Sequence, residues 1–268
     1  MSFPLVTRVK PAVLTIILLV STLGSAGPAF DSATSACRQN PNYCARVAGE
    51  EAVVPTIQGA AEIASVGAAL RVLNSKMQAD IEKSLEKCVD WADDQINRRR
   101  FSGNSPSRKQ CQEEVSGTDP CGRRMTRAMQ LGTEKHELAL QCAEEKLGEL
   151  IPGRFSREPR YRYDPQTGQK QLVSREEVRT LLQKGCGDEL EGTIVPDIVI
   201  HSGNPLEALA VYDFKFPCPD TNKPTWREYE KGPFAGSTQG KMYLEILKVG
   251  PNLIAPIRGI IRWLESQK

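Results

Sequence analysis

The chain has 268 residues, 40% of them hydrophobic and 25% charged, and its formal net charge is +2. Arg8 and Lys10 lie in an N-terminal segment that resembles a cleavable signal, and their removal leaves no net charge, which excludes a globally basic nucleic-acid-binding protein. The roughly 240 remaining residues are enough for one sizeable core with a helical N-terminal extension.

Residues 1–29 have the pattern of a secretory signal peptide. A positively charged start is followed by an apolar stretch and then by small residues, with cleavage expected after Ala26 or Ala29. A lipoprotein acylated at Cys37 and an uncleaved N-terminal anchor are the alternatives. No other run approaches the length of a membrane helix, so no stable membrane span is expected after cleavage. We therefore predict an exported protein that is periplasmic, extracellular or associated with the outer membrane.

The cysteine content agrees with export. All the cysteines follow the signal, and their number is even, which is typical of disulfides in an oxidising compartment. A zinc site is less favoured because no C-x-x-C motif occurs. The connectivity cannot be deduced from sequence, but Cys186 and Cys218 flank the strands described below and are expected to pair. The eight residues are Cys37, Cys44, Cys88, Cys111, Cys121, Cys142, Cys186 and Cys218.

Helices dominate the first part of the mature chain. Residues 45–73 are small and apolar, residues 75–100 are amphipathic, and residues 101–119 form a polar loop. We predict an α-helical, disulfide-containing N-terminal region at 30–125, followed by a second domain at 126–268.

The strongest helix pattern covers residues 126–150. A histidine on an apolar stripe is commonly a core residue, but His136 precedes the strands below at a place where a metal ligand would complete a site. Its apolar positions recur at helical spacing and predict one inward stripe, formed by His136, Leu140, Ala143, Leu147 and Leu150.

A hairpin and a short helix are expected next. Strands at 160–163 and 169–173 flank a turn, and Ser174-Arg-Glu-Glu177 is a capping box that begins a helix ending near Lys184.

Two basic stretches are the candidate nucleic-acid contacts. The stretch 154–163 alternates arginine with aromatic residues, which suits phosphate contact and base stacking, although a charge run is often only a solvated face. Its members are Arg154, Phe155, Arg157, Arg160, Tyr161, Arg162 and Tyr163. The other stretch comprises Arg98, Arg99, Arg100, Arg108, Lys109, Arg123, Arg124 and Arg127.

Two short apolar runs carry the most informative acidic residues. Residues 194–201 and 208–216 are rich in β-branched and aromatic side chains, which predicts strands. Because side chains alternate between faces along a strand, Asp213 and Lys215 share one face. If the runs pair as an antiparallel hairpin, the Asp197 and Asp213 carboxylates converge with the Lys215 ammonium. Such a cluster is costly in a core unless it serves chemistry.

A loop and a helix follow these strands. Residues 237–247 predict a helix on which Gln239 and Tyr243 project from the same side. The preceding loop, 217–236, is a candidate substrate-contacting loop, with the aromatic residues Trp226, Tyr229 and Phe234.

The chain resembles the RecB-type branch of the PD-(D/E)XK nuclease superfamily, which also contains λ exonuclease-like enzymes. The resemblance runs from about residue 127 to the C-terminus. It implies an α/β (α+β) fold of the restriction-endonuclease type, with a mixed central β-sheet flanked by helices and a closing strand at 255–263. Four motifs carry it in the family's order: Gly132-x-x-x-His136, Gly192-Thr-Ile-Val-Pro-Asp197, Asp213-Phe-Lys215 and Gln239-x-x-x-Tyr243.

The resemblance also implies Mg²⁺ or Mn²⁺ as cofactor. Asp197 and Asp213 would supply hard oxygen ligands, which suit these ions. The main-chain carbonyl of Phe214 and the imidazole of His136 would be the further ligands.

The remaining motif residues have implied roles in hydrolysis of a phosphodiester bond. Lys215 would orient or deprotonate the attacking water. Gln239 and Tyr243 would position the substrate strand.

These expectations define a leading function and several alternatives. The leading one is an exported deoxyribonuclease acting on DNA, used as an antibacterial toxin with a cognate immunity protein or for nutrient scavenging. A non-catalytic exported binding module on the same fold is a second, and an intracellular recombination nuclease a third that the cysteine content disfavours. The sequence does not distinguish exonuclease from endonuclease or DNA from RNA.

Overall fold

The computed structural model describes residues 73–119, 122–184 and 190–266. The signal segment 1–29, Cys37 and most of the helix expected at 45–73 lie outside these residues. The described part is a mixed α/β structure, which confirms the coarse fold class. Its elements are α1 (Ser75–Phe101), α2 (Arg108–Gln112), β1 (Glu114–Thr118), β2 (Arg124–Thr126), α3 (Arg127–Leu150), β3 (Phe155–Arg157), β4 (Arg160–Asp164), β5 (Gln169–Val173), α4 (Arg175–Lys184), β6 (Thr193–Ile194), β7 (Ile198–His201), β8 (Ala208–Phe214), a 3₁₀ turn (Gly232–Phe234), α5 (Gln239–Leu247), β9 (Asn252–Ala255), β10 (Gly259–Ile261) and α6 (Trp263–Ser266).

A five-stranded sheet forms the centre, in the order β10-β9-β8-β7-β3. Strands β8 and β9 are parallel and the other neighbours are antiparallel, so the sheet is mixed. A three-stranded sheet in the order β5-β4-β6 lies beside it, and β1 pairs with β2 in a separate ribbon. The predicted hairpins at 160–173 and 198–214 are both confirmed.

The two faces of the central sheet are covered differently. Helices α1 and α3 pack on one face and share an apolar core with residues of β3, β7, β8 and β9. Helix α5 and aromatic residues of the loop before it cover the other face. Because residues alternate along β8, Tyr212 belongs to the first core and Val211 to the second. The helix predicted at 75–100 therefore builds the same core as the sheet.

Helices α1, α3, α4 and α5 match their predicted segments, and capping explains where α3 and α5 begin. Thr126 accepts a hydrogen bond from Met129 N–H at the start of α3, and Thr238 from Lys241 N–H at the start of α5. The predicted stripe of α3 is only partly correct. Lys135 is buried in an ion pair with Asp93, His136 is partly exposed and Leu150 is exposed.

Three predicted segments differ from the structure. The run 194–201 is two strands, because Pro196 cannot donate to a ladder and β6 and β7 join different sheets. The closing segment 255–263 is not one strand: β9 begins earlier and turns back into β10. The loop 101–119 contains α2 and β1.

Two disulfides join distant elements. Cys88 of α1 pairs with Cys142 of α3, and Cys111 of α2 pairs with Cys218, which follows β8. The expected Cys186–Cys218 pair is therefore wrong, and Cys186 itself lies outside the described residues. Disulfides are consistent with an oxidising compartment. Within 73–119, 122–184 and 190–266, no helix is both long and apolar enough to cross a bilayer.

Candidate active site

The β7–β8 hairpin brings the two predicted carboxylates to one end of the central sheet. Ile198 lies opposite Tyr212 in this antiparallel pair, so the adjacent residues Asp197 and Asp213 lie side by side. Both carboxylates are buried, with 6% and 2% of each residue exposed. Two acids buried together are costly unless cations or hydrogen-bond donors face them.

Asp213 is held by an amine and a phenol. Its Oδ1 forms an ion pair with Lys215 Nζ, two residues further on the same face. Its Oδ2 lies 3.1 Å from the Tyr243 hydroxyl, which also lies 2.8 Å from the main-chain oxygen of Val195. Tyr243 therefore links Asp213 to the connection between β6 and β7.

Asp197 is held by an imidazole and a peptide group. His136 Nε2 on α3 lies 2.9 Å from Asp197 Oδ1. The N–H of Phe214 donates to Asp197 Oδ2 at 2.5 Å. The structure thus brings His136, Asp197, Asp213 and the Phe214 main chain together, as the sequence predicts, while a ligand role for the Phe214 carbonyl stays a prediction.

Gln239 fixes the position of the lysine. Its side-chain Oε1 accepts from Lys215 Nζ at 3.0 Å and from the N–H of Arg227 at 3.2 Å. The main-chain N–H of Gln239 donates to the Arg227 carbonyl at 2.8 Å. Gln239, the first residue of α5, is therefore bound to the loop by both its side chain and its main chain.

Tyr243 occupies a different place from the one expected of a substrate contact. It is fully buried, and its ring packs against Trp226 at 5.9 Å. The Tyr243 hydroxyl therefore orients Asp213 from the protein interior, while Gln239 is partly exposed at the surface of the site.

The aromatic loop 217–236 supports the site from inside. Trp226 and Phe234 are buried in the second core, so these two aromatic residues of the candidate substrate-contacting loop pack inside the protein. The Lys215 ammonium lies 5.8 Å from the centre of the Trp226 ring, within the range of a cation–π contact. Tyr229 is half-buried and is the aromatic side chain of this loop that lies nearest to solvent.

A glycine lets α5 approach this loop closely. A Cβ atom at Gly240 would lie 2.6 Å from the Trp226 ring and 2.3 Å from the Trp263 ring. Only a residue without a side chain fits between these two indoles. The sequence offered no signal for this role, because it depends on residues far apart in the chain.

The pKa values of two residues of the site, Asp213 and His136, are raised. Burial and the Asp197 charge raise the pKa of Asp213 to about 6, although Lys215 and Tyr243 act in the opposite direction. Burial lowers the pKa of His136, but the hydrogen bond and charge of Asp197, aided by Glu158, outweigh burial and raise it. Perturbed groups of this kind cluster at functional sites.

The donor set suits a hard divalent cation. Among residues 73–119, 122–184 and 190–266, no group of three His, Cys, Asp or Glu side chains is placed so that it could hold a metal ion. Two adjacent buried carboxylates and an imidazole nevertheless have the chemistry that Mg²⁺ or Mn²⁺ requires, and water commonly completes the shell of these ions. Burial and the neighbouring Asp197 charge raise the pKa of Asp213 more than Lys215 and Tyr243 lower it, so the ionised carboxylate is disfavoured relative to water.

The basic stretches are mostly neutralised. In the stretch from Arg98 to Arg127, five arginines each form an ion pair with a carboxylate: Arg98, Arg100, Arg123, Arg124 and Arg127. In the stretch 154–163, Phe155 and Tyr161 are core residues rather than stacking platforms.

Two residues near the site were not singled out from the sequence. Glu158 acts electrostatically on His136, and Arg160 acts on Tyr229 beside Asp213. Alternation of basic and aromatic residues marked the stretch 154–163 but could not separate Arg160 from its neighbours.

Comparisons with protein-family models, with curated proteins and with solved structures found no match. The class that the site suggests is therefore argued from its own residues.

Proposed function

We propose that this chain is an exported, metal-dependent nuclease of the restriction-endonuclease-like fold that hydrolyses phosphodiester bonds in DNA. One observation carries the proposal. Asp213 and Lys215 are in direct contact with each other, Lys215 contacts Gln239 of α5 and Asp213 contacts Tyr243 of α5. The Asp197 carboxylate is buried beside them at the same end of the mixed sheet.

Hydrolysis requires that charge on the scissile phosphate be neutralised and that a water be made more nucleophilic. A Mg²⁺ or Mn²⁺ ion held by Asp197, Asp213 and His136 would supply Lewis-acid stabilisation of that charge. Among the described residues Lys215 Nζ contacts Asp213 and Gln239, which leaves the third N–H of the ammonium to orient a water. Tyr243 keeps Asp213 in place, and Gln239 keeps Lys215 in place.

The biological role we favour is that of an antibacterial toxin. Its producer would then need a cognate immunity protein. The disulfides are compatible with export, and a nuclease that leaves the cell acts either on competitors or on environmental DNA. Toxicity of the form without residues 1–29 in a bacterial cytoplasm would favour a toxin, and its absence despite activity in vitro would favour a scavenger.

A non-catalytic binding module on the same fold is the second candidate. It would explain why Asp213 and Lys215 already form a closed ion pair. It does not explain two adjacent buried carboxylates, since a binding surface has no need of a costly polar interior.

The experiment is a cleavage assay on linear and circular DNA with Mg²⁺, Mn²⁺ or chelator. Asp213→Asn and Lys215→Ala should abolish cleavage without loss of folding. Matched controls are Asp94→Asn, in a surface ion pair on α1, and Lys241→Ala, exposed on α5. Absence of cleavage by the unaltered protein with every metal would replace the nuclease proposal by the binding module.

A further inference from the structure

An open groove with a volume of 1080 Å³ lies beside the site. Strands β4 and β5 and helix α4 form its walls. Its lining contains more arginines than acidic residues, with Glu158 and Glu176 beside Arg157, Arg160, Arg175 and Arg179, and it includes the apolar side chains Leu172, Val178 and Leu182. An excess of positive charge with apolar surface between the charges suits a nucleic-acid strand, which presents phosphates and bases in alternation.

Arg160 differs from the other arginines of its stretch. Arg157 pairs with Glu137 and Glu144, and Arg162 pairs with Glu177. Arg160 is in no ion pair with a residue of the described ranges, and its Nη1 donates to Thr193 Oγ1 at 2.8 Å.

Arg160 is also partly buried, and burial lowers the pKa of its guanidinium. A cation withdrawn from water without an anion to pair with is unfavourable. The charge of Glu158 opposes this effect of burial, but the Glu158 carboxylate is itself in an ion pair with Arg157, at 3.5 Å. The arrangement is therefore that of a cation whose anionic partner is supplied by something that binds.

The groove and the strand that carries Arg160 both adjoin the candidate site. Two residues before Arg160, the N–H of Glu158 donates to the Asp197 carbonyl at 2.8 Å. Val195 lines the groove together with Arg160, and the main-chain oxygen of Val195 lies 2.8 Å from the Tyr243 hydroxyl. Burial and the Asp213 charge raise the pKa of Tyr229, while Arg227 and Arg160 act on the same phenol in the opposite direction.

We propose that Arg160 binds a phosphate of the substrate strand next to the scissile one, and that the groove between β4, β5 and α4 receives the strand beyond it. This inference rests on the proposed nuclease function. A guanidinium can donate to two oxygens of one phosphate at once, which fixes the strand in register as well as attracting it. Arg175 and Arg179 on α4 continue the positive charge along the groove.

Binding is measured first, without cleavage. The Asp213→Asn protein is titrated into fluorescent single-stranded DNA of about 12 nucleotides, within the usual span of single-strand sites. Anisotropy gives Kd at several salt concentrations between about 50 and 200 mM. Adding Arg160→Gln should raise Kd roughly tenfold, as expected for a lost charged hydrogen bond, and should lower the salt slope by about 1.

The controls separate binding from folding. Arg162→Gln alters the next residue on the same face of β4, already paired with Glu177, and should leave Kd unchanged. Arg160→Lys keeps the charge and should restore the salt slope but only part of the affinity. Arg175→Gln with Arg179→Gln, at exposed positions of α4, should also lower the slope. A Kd and slope that Arg160→Gln and the α4 pair both leave unchanged would overturn the inference.

Kinetics distinguish this inference from the proposed function. In the protein with Asp213 intact, Arg160→Gln should raise KM more than it lowers kcat. If Asp213→Asn abolishes cleavage while Arg160→Gln alters neither KM nor Kd, the nuclease stands and the role of Arg160 falls. If the unaltered protein never cleaves, the nuclease falls, and the salt-dependent binding still decides whether Arg160 holds a phosphate.

Discussion

Glu82 and Asp213 are buried carboxylates on opposite faces of the central sheet. Their contacts are similar, but their pKa values are shifted in opposite directions. Glu82 on α1 accepts a hydrogen bond from Tyr212, and Asp213, the next residue on β8, is 3.1 Å from the hydroxyl of Tyr243. Each carboxylate also contacts a cationic side chain. The pKa of Glu82 is lowered, whereas that of Asp213 is raised to about 6.

The difference lies in how completely each charge is matched. Arg262 meets both oxygens of Glu82, at 2.6 and 2.7 Å, and Gln78 adds a third donor. These bonds outweigh the burial of Glu82, which by itself raises its pKa. Asp213 has one amine and a second carboxylate as neighbour, so burial and repulsion dominate. The surroundings of Glu82 therefore favour the ionised carboxylate, whereas those of Asp213 favour the protonated acid, a perturbation that is typical of functional sites.

The largest effects on activity are expected from substitutions of Asp213 and its partner Lys215, whereas substitution of Glu82 should leave activity nearly unchanged. Lys215→Ala should lower kcat/KM on the order of 10²-fold or more, since it removes a group that positions a proton transfer, and Asp213→Asn should do at least as much. Glu82→Gln should leave kcat/KM within about twofold after correction for the folded fraction, because a surface or structural change does not reach the reacting atoms. Equal losses of kcat/KM in Glu82→Gln and Asp213→Asn would contradict the assignment of a catalytic role to Asp213 and a structural role to Glu82.

The two disulfides stabilise different regions of the molecule. Cys111–Cys218 closes 107 residues and anchors the chain just after Lys215, while Cys88–Cys142 closes 54 residues and joins α1 to α3. Replacing either pair by serine should lower the free energy of unfolding by about 2–5 kcal/mol. Cleavage measured where both variants remain folded should fall only for the Cys111→Ser, Cys218→Ser protein.

Gly240→Ala tests the packing that holds α5 behind the carboxylates. The added methyl group meets Trp226 and Trp263, and the strain should cost about 1–3 kcal/mol in chemical denaturation. Displacement of α5 should also weaken the contact of Gln239 with Lys215, so activity should fall. Gly148→Ala, an exposed position on α3 where a Cβ meets no other atom within 4 Å, is the matched control. Equal behaviour of the two alanine variants would show that the indole packing is unimportant.

The smallest effect concerns acid stability. Because the folded-state pKa of Glu82 is lowered, its contribution is fully present above the unfolded pKa of about 4.3 and is lost as the pH falls through the folded value. Glu82→Gln should therefore cost about 1 kcal/mol at neutral pH, a modest figure because Arg262 is 46% exposed. Urea denaturation should show this difference shrinking below about pH 4. A difference that does not change with pH would mean that the Glu82 charge contributes nothing.

Local patterns predicted several elements well. The alternation and β-branching of 208–216 predicted β8, and the spacing of 126–150 predicted α3. Motif spacing also predicted which side chains lie on one face: Asp213 and Lys215, two residues apart, form an ion pair, and Gln239 and Tyr243, four residues apart on α5, contact Lys215 and Asp213 respectively.

Other features depended on partners distant in sequence. Pairing of Cys218 with Cys111 instead of Cys186 follows from where α2 lies, and cysteine spacing alone allows many connectivities. The inward turn of Trp226 and Phe234 follows from the apolar face of the sheet that they cover. In the stretch from Arg98 to Arg127, Arg100 and Arg127 are paired with carboxylates of other segments, and residue types alone do not reveal such pairs.

Residue periodicity and residue type predicted most of the elements and the chemical groups that they carry, because both act over a few residues. Contacts between distant segments set the opposite pKa shifts of Glu82 and Asp213, the burial of Tyr243, and the lack of an ion pair for Arg160 among the described residues. Local patterns could not predict these features, since burial and charge pairing depend on which groups from distant segments come within a few ångströms of one another.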